Sequence, residues 1–288
     1  MKKLKKMTVV SGKGGTGKTS LVGSFAYLSS QKSVLVDGDV DAANLSLISR
    51  SEVLETHEFR ASKVAVIDPE KCNQCGLCSE LCRFEAVSDQ FIVDPVACEG
   101  CRFCAYACAQ EAINMQETLS GHWYISKTPH GMLVHARLGI AEENSGKLVA
   151  IVRNKGEEIA ESTDKEHLIV DGSPGIGCPV IASLSGVDAA MIVTEPTVSG
   201  IHDLERILFV CQHFGVPAKV CINRFDLGQK QSEMIEEYCE KEEIPLVGKI
   251  PFDRAFVEAM VRGISVMEYN DGALARKVEE VWDNFLKA

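Results

Sequence analysis

No stretch of this 288-residue chain approaches the roughly 18 consecutive apolar residues needed to span a bilayer, and its start carries no signal-peptide pattern. Positive charge is short as well: 30 Lys and Arg stand against 41 Asp and Glu, a net charge of -11, which counts against a nucleic-acid partner. The basic run Lys2 to Lys6 is brief and enters the first apolar segment directly. In the C-terminal helical stretch, Glu279, Glu280 and Asp283 offset the basic residues, which argues against a helix lying on a membrane. Internal repetition is absent except among the twelve cysteines.

Eight of these form two identical C-x2-C-x2-C-x3-C runs, Cys72, Cys75, Cys78, Cys82 and Cys98, Cys101, Cys104, Cys108. In this spacing three thiolates on a tight loop cap one cubane, while the fourth, set on a helix, reaches the other cluster. Two runs therefore predict two 4Fe-4S clusters with crossed ligands. Cys72, Cys75, Cys78 and Cys108 would hold one, and Cys98, Cys101, Cys104 and Cys82 the other. The rival readings are structural zinc, which takes four thiolates per site, and disulfides, which belong to secreted chains. The runs resemble the bacterial two-cluster ferredoxins over roughly Ala61 to Glu117, with Arg83 and Ala109 replacing the proline usual after each fourth cysteine. Thiolate clusters imply a reducing, cytoplasmic setting.

Gly12 to Thr19 reads G-K-G-G-T-G-K-T between an apolar strand, Met7 to Val10, and a helical stretch, Ser20 to Ser30. That context marks a P-loop. Gly12, Gly14, Gly15, Thr16, Gly17 and Ser20 belong to the loop and helix start that cradle phosphates; Lys18 reaches the β- and γ-phosphates and the Thr19 hydroxyl ligates magnesium. The extra lysine, Lys13, resembles the deviant Walker A signature of the MinD, Mrp and nitrogenase iron protein superfamily. That resemblance implies a homodimer in which Lys13 crosses to the partner's ATP, the alternative being a solvated loop lysine.

More of that superfamily's pattern follows in order. D-G-D-V-D after Ser33 to Val36 resembles switch I, with Asp39 placing the attacking water, Asp37 at the strand end and Asp41 a solvated turn residue. D-G-S-P-G-I-G after His167 to Val170 resembles Walker B and switch II, with Asp171 holding magnesium through a water and the Gly175 N–H sensing the γ-phosphate. V-C-I-N-R-F-D resembles the adenine-reading segment, in which the Asn223 amide offers a donor and an acceptor to the base. Pro251 and Phe252 resemble the loop packed on the base, or are ordinary turn and core residues.

At 45% hydrophobic content the chain can bury a full core. Short apolar runs at Val34 to Val36, Leu168 to Val170, Ala189 to Val193 and Val220 to Ile222 read as strands buried on both faces. Helical spacing at Gly200 to Phe214, Ser232 to Lys241 and Gly272 to Lys287 alternates with them. The fold class is α/β, a doubly wound, mostly parallel sheet, with an inserted α+β ferredoxin-like domain. Residues 1–59 and 119–288 form the ATPase domain and residues 60–118 the insert, joined by irregular linkers at Ser49 to Arg60 and Thr118 to Trp123. His122 to Arg137 reads as a β-hairpin and Glu142 to Glu161 as a helix.

Cys211, Cys221 and Cys239 read as small core residues. Cys178, seven positions after Asp171, sits where nitrogenase iron proteins carry a bridging cluster ligand; it either binds a metal or packs under the loop. The whole resembles MinD-superfamily ATPases containing a ferredoxin domain. The implied function is an ATP-hydrolysing homodimer, with ATP/ADP, Mg2+ and two clusters, that couples nucleotide state to electron transfer to a redox or metallocluster partner protein. The alternative is an ATP-dependent iron-sulfur or metal-cofactor carrier. A positioning protein whose clusters only brace the insert would need a membrane or polymer surface.

Overall fold

A computed structural model of the chain describes residues 3–139, 144–269 and 271–287. Its elements run β1 (Lys5–Ser11), α1 (Lys18–Leu28), β2 (Ser33–Asp37), α2 (Leu45–Ile48), β3 (Glu52–Ile67), α3 (Leu77–Leu81), α4 (Phe103–Ala107), β4 (Ile113–Thr128) and β5 (Gly131–Leu138). They continue with α5 (Ser145–Ser162), β6 (His167–Pro174), α6 (Cys178–Leu184), β7 (Ala189–Thr194), α7 (Val198–His213), β8 (Ala218–Asn223) and α8 (Gln229–Lys241). The chain ends with β9 (Leu246–Ile250), α9 (Ala255–Val261), α10 (Val266–Tyr269) and α11 (Ala273–Lys287). The strand order is β3-β4-β5-β2-β6-β1-β7-β8-β9.

Two compact units emerge. The larger comprises Met1–His57, Trp123–Arg137 and Ser145–Ala288; the smaller comprises Glu58–His122 and Leu138–Asn144. In the larger, β5, β2, β6, β1, β7, β8 and β9 pair in parallel throughout. Neighbouring side chains on one strand enter opposite cores: Val9, Met191 and Cys221 join one face with Phe25, Trp282 and Phe285. Val10, Ile192 and Val220 join the other with Leu204, Ile207 and Ile235. Period-two alternation with both sets buried is what a sheet sandwiched between helix layers requires. Cys211, Cys221 and Cys239 lie inside these cores, and burial pushes their thiols up to about 12, 12 and 11.

The linkers are not irregular. Ser49 to Arg60 runs into β3 and Thr118 to Trp123 lies within β4, each strand 16 residues long. Most β3 side chains are exposed or half-buried, so the apolar alternation that marks a strand is missing although the backbone is laddered. His57 stacks on Trp123 at 3.9 Å, joining β3 to β4 within the larger unit. Helix α5 begins at Ser145, and positions 142 and 143 of the expected helix lie outside the described residues. Among the described residues no helix is long and apolar enough to cross a membrane.

Candidate functional site

The loop after β1 turns on glycines because two positions adopt left-handed backbone, Gly15 at φ 80 and Gly17 at φ 94. Space excludes side chains as well. A Cβ on Gly17 would fall 2.4 Å from Asn223 Nδ2, and one on Gly12 2.6 Å from the Asp203 carbonyl oxygen. Gly17 supplies no side-chain cap to α1, so the first N–H groups of that helix point outward as an anion-binding end. Lys18 is only 4% exposed. A cavity of about 700 Å³ opens here, lined by Gly14, Gly15, Gly17, Lys18, Thr19, Ser20, Asp39 and Ser173.

Three carboxylates gather at the ends of adjacent strands. Asp37 and Asp171 face each other across the β2–β6 ladder and are fully buried. Burial, and then the Asp171 charge, hold the Asp37 carboxyl well above its usual range. Its oxygens accept the Asp39 N–H at 3.1 Å and the Leu45 N–H at 3.0 Å, which anchors the segment carrying Asp39. Burial raises Asp171 to about 6, against the opposing pull of Lys18 and the Thr19 hydroxyl. Neither Asp171 oxygen reaches full hydrogen-bond geometry with any group. Two orphaned, buried carboxylate oxygens beside a hydroxyl suit a hydrated divalent cation, so the donor set fits Mg2+. Asp39 is half-buried and raised by burial while Lys18 lowers it.

A second cavity lies beside the first, lined by Gly17, Ser20, Asn223, Arg224, Pro251, Phe252 and Phe256. It gathers the three residues expected around the base. Asn223 is buried, and its Nδ2 donates to the Thr16 carbonyl at 2.7 Å while Oδ1 accepts the Arg224 N–H. The amide therefore buttresses the P-loop and keeps one N–H and one lone pair for a ligand.

Two expectations change. The Gly175 N–H donates to the Ser11 carbonyl at 2.8 Å, so in this arrangement it does not face the cavity. Lys13 does not extend outward: its ammonium lies 3.4 Å from Glu195 and within reach of the Thr197 and Ser199 hydroxyls. Sequence reasoning missed Glu195 and Arg224 because nothing at their positions signals an ion pair across two loops. Cys178, expected to pack under its loop or bind metal, is exposed at the first residue of α6.

In the smaller unit the cysteine repeat is also a structural repeat, offset by 26 residues. Cys72 and Cys98 donate their N–H groups to Asp68 and Asp94. Gly76 and Arg102 cap α3 and α4 in left-handed backbone. Asp68 N–H bonds Ala112 of the second half at 2.7 Å, and Asp94 N–H bonds Ala86 of the first at 2.8 Å, the reciprocal exchange of a local two-fold. One cavity is lined by Cys72, Cys75, Cys78 and Cys108, together with Cys104. The Cys78 thiol is raised by burial and further by Cys72 and Cys75; Cys104 is raised by burial and by Cys98 and Cys101. Among the described residues no three His, Cys, Asp or Glu side chains converge tightly enough for one metal ion. A single zinc at about 2.3 Å from each sulfur demands such convergence. A multi-iron core spaces its sulfurs more widely, and an apolar cavity bordered by five thiols from both halves of the repeat fits that group.

Comparison with known proteins matches residues 7–266 to the CobQ/CobB/MinD/ParA nucleotide binding domain. An uncharacterized protein of Methanocaldococcus jannaschii is 35% identical over 221 residues, covering 76% of this chain and 78% of that protein. An iron-sulfur cluster carrier protein of Pyrococcus abyssi is 28% identical over 131 residues, 40% of this chain and 43% of its own. The structure of the septum site-determining protein MinD complexed with Mg-ADP, from Pyrococcus horikoshii, superposes with a TM-score of 0.63 at 17% identity, covering 99% of this chain and 96% of that one.

Proposed function

Because the chain belongs to the CobQ/CobB/MinD/ParA nucleotide-binding family, we propose that it is a homodimeric P-loop ATPase whose nucleotide state governs electron transfer from two 4Fe-4S clusters to a partner protein. The observation that carries the reading is the cavity bordered by Cys72, Cys75 and Cys78 from one half of the repeat and by Cys108, with Cys104, from the other. Cys98, Cys101, Cys104 and Cys82 would hold the second cluster by the same two-fold. When bound, such clusters supply one-electron transfer at low potential.

The residues of the ATPase unit divide the remaining work. Lys18 and the α1 N-terminus neutralise phosphate charge, Thr19 and Asp171 hold the cation, and Asp39 orients water for in-line attack. Asp37 keeps Asp39 in place through two backbone N–H groups. The segments bearing Asp39 and Gly175 are joined, since the Gly38 N–H bonds the Asp171 carbonyl and the Ser173 hydroxyl bonds the Gly38 carbonyl. A γ-phosphate that pulls one segment moves the other, and a partner preferring one arrangement becomes nucleotide-gated.

Similarity to the Pyrococcus abyssi iron-sulfur cluster carrier protein favours a second reading, delivery of a cluster to a client. Anaerobic EPR of the reduced protein with and without MgATP, with an iron count before and after exposure to an apo-acceptor, separates the two. Two retained 4Fe-4S signals that shift with ATP support gated electron transfer. Loss of iron to the acceptor supports delivery, and absence of cluster signals overturns both.

A further inference from the structure

Two loops shape the base cavity, and they leave neighbouring strands: β8 and β9 pair in parallel with Asn223 opposite Ile250. The β8 loop continues as a tight turn, Phe225–Leu227. That turn is braced from outside the cavity. The Ser232 hydroxyl donates to the Phe225 carbonyl at 2.9 Å, and Lys249, paired with Glu236 at 2.9 Å, lies over the Phe225 ring at 5.4 Å. The β9 loop, Pro251 to Asp253, has no regular structure before α9 begins at Ala255, and Phe252 is half exposed.

One side chain ties the irregular loop to the braced turn. Asp226 Oδ1 accepts the Phe252 backbone N–H at 2.7 Å. Asp226 does not line the cavity that Pro251, Phe252, Phe256 and Asn223 share. We infer that Asp226 is a positioning residue for nucleotide-base recognition: it sets Pro251 and Phe252 against the base without touching it. The inference rests on the ATPase reading of the site and extends it to base selection.

Chemistry gives the interaction a direction. A carboxylate three residues after a base-facing asparagine would, if free to enter the cavity, accept N–H groups from guanine. With Oδ1 committed to Phe252 from outside, the apolar walls and the remaining Asn223 valences decide the choice, and these suit adenine's paired donor and acceptor. A charge-assisted hydrogen bond between two loops confines the aromatic wall before a ligand arrives, so its loss weakens binding through disorder of that wall.

The test compares wild type with Asp226→Ala and Asp226→Asn, measuring ATP turnover and the affinities of ATP, GTP and inorganic tripolyphosphate. Asp226→Ala is expected to raise KM for ATP about five- to tenfold with kcat nearly unchanged, to narrow the preference for ATP over GTP, and to leave tripolyphosphate affinity intact. Asp226→Asn keeps an acceptor oxygen and is expected to stay close to wild type. Unchanged ATP affinity in Asp226→Ala overturns the inference. So does an equal loss of tripolyphosphate affinity, which would mean general damage to the site. An Asp226→Asn protein as impaired as Asp226→Ala would show that the hydrogen bond is not the means. Failure of wild type itself to bind ATP would instead reject the ATPase reading.

Discussion

The Lys13 ammonium sits 3.4 Å from Glu195, whose other carboxylate oxygen pairs with Arg224 at the edge of the nucleotide cavity. One acid thus serves two cations from different loops, and Lys13 is bound within its own chain.

If Lys13 is to act across a dimer it must leave Glu195. Glu195→Gln should therefore favour ATP-dependent dimerisation, by no more than about 1 kcal/mol because Lys13 is partly exposed. Lys13→Ala should weaken the same dimer. Sedimentation with and without MgATP measures both, and a dimer indifferent to Lys13→Ala would remove the cross-subunit role.

Asp171 makes stability depend on pH. Its proton is held more tightly in the folded chain, so its contribution to stability is fullest below the usual 3.8 and is lost as pH rises to about 6. Asp37 is shifted in the same direction and adds to the trend. Without nucleotide or magnesium, Asp171→Asn should be more stable than wild type at pH 7.5, by up to about 3 kcal/mol, and the gain should vanish near pH 4. It should also lose magnesium-dependent hydrolysis. Urea unfolding across that range decides the matter; a variant no more stable than wild type at pH 7.5 contradicts the charge assignment.

Lys18 and Asp39 line the same cavity yet should fail differently. Lys18→Ala should abolish ATP binding. Asp39→Ala should bind ATP and lower kcat at least about a hundredfold, since water positioning contributes mainly to the chemical step. Calorimetry alongside phosphate release tests this, and normal turnover in Asp39→Ala would reject the switch I role.

The cysteine unit offers a contrast between glycines. Gly100 at φ 61 has the Lys63 carbonyl oxygen 2.3 Å from where its Cβ would be, whereas Gly76 at φ 81 has open space. Gly100→Ala should cost about 3 kcal/mol and reduce iron content, while Gly76→Ala should cost about 1–2 kcal/mol from backbone strain alone. Thermal unfolding and iron assay of the two variants report the difference. Equal losses would mean that the close approach to Lys63 is not kept.

The sequence alone determined the strand, glycine turn and helix from Met7 to Ser30, because apolar runs, glycines and helix formers are local signals with local causes. It also determined the order of the parallel strands' apolar segments and the burial of Cys211, Cys221 and Cys239. The long strand β3 and the first part of β4 escaped notice, since few of the β3 side chains are buried and no apolar alternation marks it, whereas the rest of β4 and β5 fall in the hairpin expected over His122 to Arg137. Tertiary structure alone decided that Lys13 pairs with Glu195, that Asn223 supports the Thr16 carbonyl, that Gly175 spends its N–H on Ser11 and that Asp226 holds Phe252. Each links groups on separate loops at strand ends. Such contacts depend on how parallel strands align their carboxyl ends, a long-range property that no spacing along the chain encodes.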